Sequence, residues 1–490
     1  MTIDTAPSLR GLAVKSAAWY GTTRLWSQVL SWGVTIFLAR MLAPGDYGLF
    51  AMALSILAML EILQEFGLGT AIVQRQHLTR QQLNSVFFIV AATSLLLTSA
   101  TFLAGESISR FYAEPRLTWT LRILSLTFLL NSLGMVPYSL LTKSLDLRHR
   151  SLAEAVGAAT SALVTLALAY LGYGVWALVL GHLARAVVLN AGLTIFSGWW
   201  PGTDLQRDGL RSLMTFSLRI AGMHLVGNCS PAIATFIMAR ALGGTAVGLY
   251  AMAQGLAEAP HRISTAIINQ VSFPIFCRLQ HQREELAKYF LSISKYLAII
   301  SLPVQIGLVL VGPDLVVVLL SSRWNEMILP FQIVCLESAV VVLTLTSSPL
   351  LTAVGRADLL FNRAFVSVGT IAAATLLGAQ FGLVGIAIAR LIVMVPLRLS
   401  LLLPSLSALG LPFGAYVGSL VRPVLSVGAM ATTILLAQHV IYLGDQPIRR
   451  LVLSIVVGAA TYLGAIFLAD RSLGNEVHTI TRDLFSRSHS

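Results

Sequence analysis

Charge is what this chain has least of. Only 11% of its 490 residues are Asp, Glu, Lys or Arg, against about 25% in an ordinary soluble domain, which excludes a water-soluble globule. Cysteine is scarce as well. Cys229, Cys277 and Cys335 stand alone, without CxxC spacing, so neither a disulfide framework nor a metal site is implied. No long polar stretch leaves room for an appended nucleotide-binding domain, and there is no Walker loop, HExxH or Gly-x-Ser-x-Gly elbow. ATP-driven pumping and hydrolytic catalysis are therefore not expected. No catalytic residues, metal or cofactor are assigned, and the chain does not read as an enzyme.

What is present is apolar length. The chain is 56% hydrophobic with a mean hydropathy of +0.80. About fourteen runs approach the roughly 20 residues that a bilayer crossing requires. They lie near 16–39, 48–68, 84–104, 117–140, 152–171, 174–197, 213–240, 248–271, 290–311, 328–350, 364–381, 383–404, 414–438 and 450–469. Lipid offers backbone amides no partner, so a spanning chain is helical or a closed barrel. The runs are continuously apolar and do not alternate, which excludes the barrel. The expectation is an all-α polytopic membrane protein, with membrane lipids as its surroundings. MTIDTAPSLRGLAVKSAAWYG lacks the short apolar core and cleavage site of a signal peptide, so the first span is expected to be retained.

The formal net charge is +12, yet the Lys and Arg are not gathered into a patch, which argues against a nucleic-acid partner. They favour the termini and the even connections, as in Arg10, Lys15, Arg75, Arg80, Lys143, Arg148 and Arg150. The odd connections hold few: Arg40, Arg110, Arg116, Arg240, Arg323 and the pair Arg449–Arg450. The positive-inside rule then places both termini in the cytoplasm, with Arg449–Arg450 running against it.

Two stretches resemble copies. Between 38–53 and 238–253, Ala39, Arg40, Leu42, Gly48, Leu49, Ala51, Met52 and Ala53 recur 200 residues later as Ala239, Arg240, Leu242, Gly248, Leu249, Ala251, Met252 and Ala253. Further agreement links PYSLLTKSLDLRHR (137–150) to SSPLLTAVGRADLLFNR (347–363), and LGYGVWAL (171–178) to QFGLVGIA (380–387). Residues 1–200 and 201–404 are thus expected to be two pseudo-symmetric six-helix bundles, with 405–490 adding two helices and a cytoplasmic tail. Six is even, so both bundles enter from one side. Such parallel repeats carry their substrate between the halves and work by alternating access.

Charges at bilayer depth are expensive and tend to face a cavity or a partner. In AEAPHRIS (257–264), Glu258 and Arg262 are four apart with His261 beside them and Pro260 in the same turn, a helix face with an invited kink. Arg24 lies about 12 Å into the first span by helical rise, and His224 holds the same place 200 residues on. His182 and Arg185 sit in the sixth span, with Arg390 in the corresponding region of the twelfth. Glu61 is nearer the inner interface, and Glu337 is deep but without an identified partner. The balance is cationic. Guanidinium forks bind phosphate oxygens and keep their protons, so the substrate class expected is an anion such as a lipid-linked pyrophosphate.

ARMLAPGDYGLFAMA (39–53), EFGLGTAIVQRQHLT (65–79), LGYGVWALV (171–179) and SSRWNEMILPFQIV (321–334) together resemble the Wzx-type polysaccharide flippases. These form the polysaccharide transporter branch of the multidrug/oligosaccharidyl-lipid/polysaccharide exporter superfamily. The resemblance covers nearly the whole chain and implies a V-shaped pair of bundles in the bacterial inner membrane. It implies movement of undecaprenyl-diphosphate-linked oligosaccharide from the inner to the outer leaflet for exopolysaccharide or lipopolysaccharide synthesis, coupled to an ion gradient. A polymerase and a chain-length regulator of the same pathway are the protein partners that go with it. By helix and depth, its central-cavity arginines map onto Arg24 and Arg262. His224, Arg185 and Arg390 complete the candidate substrate contacts. Glu258 and His261 are the ion-coupling candidates, with His224 as a further titratable group.

Two alternatives stay open. A cation-coupled drug exporter of the same superfamily would favour acidic and aromatic cavity residues, against which Arg262 argues. A non-transporting scaffold for envelope polymer assembly would need no midplane charges at all.

Overall fold

The computed structural model describes residues 33–75, 78–205, 210–268, 272–440 and 446–469. Among these the regular elements are all helices, and twelve are long and apolar enough to cross a membrane. The chain is a multi-pass membrane protein. It divides into two compact units between Leu249 and Tyr250. Unit 1 holds α1 (33–41), α2 (Pro44–Glu65), α3 (Leu68–Gln74), α4 (Arg80–Tyr112), α5 (Leu117–Lys143), α6 (Leu147–Tyr170), α7 (Val175–Ser197) and the greater part of α8 (Leu210–Ile267). Unit 2 follows with α9 (Phe273–Leu279), α10 (Arg283–Leu319), α11 (Ile328–Leu343), α12 (Ser347–Ala353), α13 (Ala357–Ala379), α14 (Gly382–Leu409), α15 (Phe413–Val440) and α16 (Pro447–Ala469).

The expected second to sixth and ninth to fourteenth spans each coincide with a spanning helix. The seventh and eighth share α8, which leaves helical geometry at Gly243 (φ 82, ψ 175). That backbone conformation is open to glycine and to almost nothing else. The first expected span lies outside the described residues except for α1. In the first copy of the repeat the break falls at Ala43, extended at φ −78 and ψ 151, with Pro44 opening α2. Proline suits that first helical position because its missing N–H is not needed there. Both copies therefore break at the same place, 200 residues apart, by different local chemistry.

The two copies also meet within unit 1. A Cβ on Gly48 would sit 1.7 Å from the Gly244 carbonyl oxygen, and one on Gly248 would sit 1.9 Å from that of Pro44. The start of α2 and the stretch of α8 after its break thus pack backbone on backbone, a closeness only small residues permit.

Unit 1 is cored by Leu68, Ile72, Val86, Phe87, Val90 and Val136, with Trp199 against Phe87. Gln64, fully buried on α2, donates to Ser94 Oγ at 2.9 Å and to the Phe128 carbonyl at 2.7 Å, tying α2 to α4 and α5. Thr79 and Gln82 form a reciprocal capping box that starts α4. Large apolar side chains such as Leu96, Leu103 and Leu163 stay exposed, as a lipid-facing surface requires.

In unit 2 the last two helices pack on α10, and α15 also reaches α11. The Tyr462 hydroxyl donates to the Ile299 carbonyl at 2.6 Å, and Tyr416 donates to that of Leu343. Arg450 grips buried Asp314 through Nε at 2.9 and 3.0 Å and through Nη2 at 2.6 Å. Arg450, one of the two arginines that run against the expected positive-inside pattern, is thus neutralised by a carboxylate from α10.

Candidate functional site

Within unit 1, helices α2, α5 and α7 enclose a cavity of about 360 Å³. Its apolar wall includes Leu54, Leu57, Phe128 and Leu189, and its polar groups are Glu61, Asn131, His182 and Arg185. Each polar group is planar, and they come from three helices. Glu61 Oε1 accepts from Asn131 Nδ2 at 3.1 Å, and Asn131 Oδ1 accepts from Asn190 Nδ2 at 3.2 Å. Asn190 is anchored to the Ala186 carbonyl at 2.7 Å. The amide is thus held in place by a short relay. The His182 ring stands edge-on to Phe50 at 6.0 Å. Arg185 is exposed toward this space and forms no ion pair among the described residues.

Unit 2 handles its charges differently. Arg390 and Glu337 are paired at 3.3 Å, with side chains only 11% and 8% exposed. The Arg390 guanidinium also lies 5.6 Å from the Tyr250 ring centroid, within cation–π range. Glu337 Oε2, Arg390 Nε and the Tyr250 hydroxyl are buried without a hydrogen-bond partner among the described residues. On α8, Gln254 donates to Glu258 Oε1 at 2.7 Å. Arg262 lies 4.0 Å from Glu258 Oε2 while remaining 60% exposed. Gln305 from α10 caps the Ala257 carbonyl at 3.1 Å, which fixes that turn of α8 against its neighbour.

The sequence-derived candidates therefore separate. Arg185 joins His182, Glu61 and Asn131 in the unit 1 cavity. Glu258 and Arg262 share a face of α8, as their spacing of four demands. Arg390 is turned to Glu337, the acid whose partner the sequence does not reveal. His224 and His261 lie on helical backbone of α8, with side chains outside the described set, and Arg24 lies outside the described residues. Sequence reasoning gave Asn131 no role and placed Glu61 nearer the inner interface, where snorkelling and function were both open. The available signal was Asn131 itself, an amide set in the apolar run LTFLLNSLGM (126–135), where it needs partners.

A family model described as "Polysaccharide biosynthesis protein" matches residues 37–329. The succinoglycan biosynthesis transport protein ExoT of Rhizobium meliloti (strain 1021) is 26% identical over 89% of both chains. The lipopolysaccharide biosynthesis protein WzxC of Escherichia coli (strain K12) is 24% identical, over 79% of this chain and 80% of that one. Among solved structures, the inward closed conformation of the lipid II flippase MurJ superposes with a TM-score of 0.76 at 14% identity, covering 93% of this chain and 99% of that one. An inward-facing multidrug resistance MATE family transporter superposes with a TM-score of 0.63 at 13% identity, covering 78% and 94%. At these identities the structural likeness establishes the fold.

Proposed function

Because the chain belongs to the polysaccharide biosynthesis protein family, we propose that it is a flippase moving undecaprenyl-diphosphate-linked oligosaccharide across the bacterial inner membrane. In this reading both termini are cytoplasmic, the product supplies exopolysaccharide or lipopolysaccharide assembly, and a polymerase with its chain-length regulator takes it up outside. Residues 1–200 and 201–404 are the two bundles that alternate access, with the last two helices outside the repeat. The observation that carries the reading is Arg185, a guanidinium in an apolar span that lines a cavity and forms no ion pair among the described residues. A permanent cation left unpaired at membrane depth is costly unless a ligand completes it.

Roles divide accordingly. Arg24, Arg262 and His224 meet the diphosphate, and Arg185 meets the glycan side of the substrate. Arg390, already neutralised by Glu337, shapes the wall of unit 2 and keeps its helices in register. Glu258 and His261 are the ion-coupling groups. The relatives named for succinoglycan and lipopolysaccharide biosynthesis support the substrate class. A drug cation would be repelled by Arg185, which has no ion pair among the described residues.

The test is transport of a fluorescent undecaprenyl-diphosphate oligosaccharide in proteoliposomes, with outer-leaflet arrival read by quenching. Arg24→Ala and Arg262→Ala should abolish transport with protein still in the membrane, and collapsing the proton and sodium gradients should abolish it in the parent. Transport undiminished in both variants overturns the residue assignment, and no transport by the parent under any gradient overturns the reading.

A further inference from the structure

We infer that the unit 1 cavity is a carbohydrate subsite that takes a single hexose ring of the glycan, distinct from the groups that meet the diphosphate. This rests on the lipid-linked substrate proposed above. Three observations carry it. First, at about 360 Å³ the cavity falls within the range of small-ligand sites, roughly 300–1,000 Å³, and like them it sets a few polar groups in an apolar wall. A pyranose needs that combination: Leu54 and Leu189, both partly exposed, supply surface for its C–H face, while its hydroxyls require polar partners at the rim.

Second, the polar groups are mixed in kind. Glu61 only accepts when ionised, Arg185 only donates, and Asn131 does both. A phosphate would be repelled by Glu61, and a metal or amine cation by Arg185. A hydroxyl is donor and acceptor at once, so a polyol can satisfy all of these groups. Asn131 spends one Nδ2 proton on Glu61 and one lone pair of Oδ1 on Asn190, and its second proton remains for a ligand. Third, the group is oriented before anything binds. The Asn190–Asn131–Glu61 relay holds amide and carboxylate in fixed positions, which lowers the entropic cost of recognition.

Unit 2 shows the contrast. There the arginine of the twelfth span is paired with Glu337 of the tenth, whereas the fourth span, α5, contains no carboxylate. In unit 2 an internal acid closes the arginine, whereas in unit 1 Arg185 and Glu61 share a cavity without forming an ion pair.

The experiment measures affinity of the full-length protein in nanodiscs for bare undecaprenyl diphosphate and for the same lipid carrying one glucose, galactose or N-acetylglucosamine. At least one sugar-bearing lipid should bind about tenfold tighter than the bare lipid, equivalent to about 1.4 kcal/mol. Leu57→Trp, which fills the cavity, and Asn131→Leu, which removes its amide, should each bring that affinity ratio to about one. The second substitution guards against misfolding of the first, and retained bare-lipid binding reports that each variant is folded. No tightening by any of the three sugars, or a ratio unchanged in both variants, overturns the subsite while leaving the flippase reading intact. Failure of the parent to bind any of the four lipids overturns the underlying reading instead.

Discussion

The closest backbone approach in unit 1 makes a sharp test of how the repeated motif works. A Cβ at residue 48 would stand 1.7 Å from the Gly244 carbonyl oxygen, 2.6 Å from its carbon and 2.9 Å from the Gly248 nitrogen. All three are main-chain atoms, so no side chain can swing aside. Ordinary carbon contacts begin near 3.5 Å, and α2 would have to withdraw by roughly 2 Å. Forcing extra volume into a tight contact costs about 1–3 kcal/mol, which disfavours this crossing by about 5–150-fold. Cysteines at positions 45 and 245 would report the crossing, because a Cβ on Gly45 lies 3.4 Å from Thr245 Oγ1. In a background with Cys229, Cys277 and Cys335 replaced by serine, oxidation should cross-link the parent efficiently and the Gly48→Ala variant several-fold less, with polymer export falling in parallel. Gly255→Ala serves as the control, since nothing lies within 4 Å of its added methyl. Equal cross-linking and export in parent and Gly48→Ala would refute the claim that the two copies of the motif bear on each other.

Two further outcomes follow from the buried charges. Glu337→Gln leaves Arg390 buried without its counter-charge, and removing one partner of such a pair costs about 3–5 kcal/mol. The melting temperature in detergent should drop by several degrees, and the double substitution Glu337→Leu with Arg390→Met should recover most of it; no loss in the single variant would mean the pair is not formed. Arg450→Ala strips buried Asp314 of its fork, at a cost of about 1–3 kcal/mol for an unsatisfied polar group. That should loosen α16 from α10, read as faster hydrogen exchange of α16 amides, whereas unchanged protection would count against the clamp.

Much of the architecture was legible in the residues. The break at Gly243 that joins the seventh and eighth expected spans in α8 was not read from the residues, but eleven of the fourteen expected spans coincide with a spanning helix, their position and apolar length being legible. These are local properties: a segment's hydrophobicity and a turn's backbone needs are written within about 20 residues. The site was legible only in part. Arg185, Glu258, Arg262 and Arg390 announced themselves as costly charges in apolar runs, and the spacing of four put Glu258 and Arg262 on one face. Glu61 did not stand out, because a carboxylate toward a span end looks the same whether it faces a cavity or headgroups, and Asn131 was passed over because an amide carries no charge to mark its cost.

What tertiary structure alone decided is how each charge is satisfied. Arg390 and Glu337 are 53 positions apart, Asn131 and Glu61 are 70, and Arg450 and Asp314 are 136. No local pattern connects such pairs, since which helices become neighbours depends on packing along the whole chain. The same limit applied to the repeated turn. Its 200-residue offset could be read directly, but that Gly48 and Gly248 press against each other's backbone emerged only when both copies were folded into one unit. A charge at membrane depth advertises its cost in the sequence, and only the fold tells whether a partner in the protein or a ligand from outside meets it.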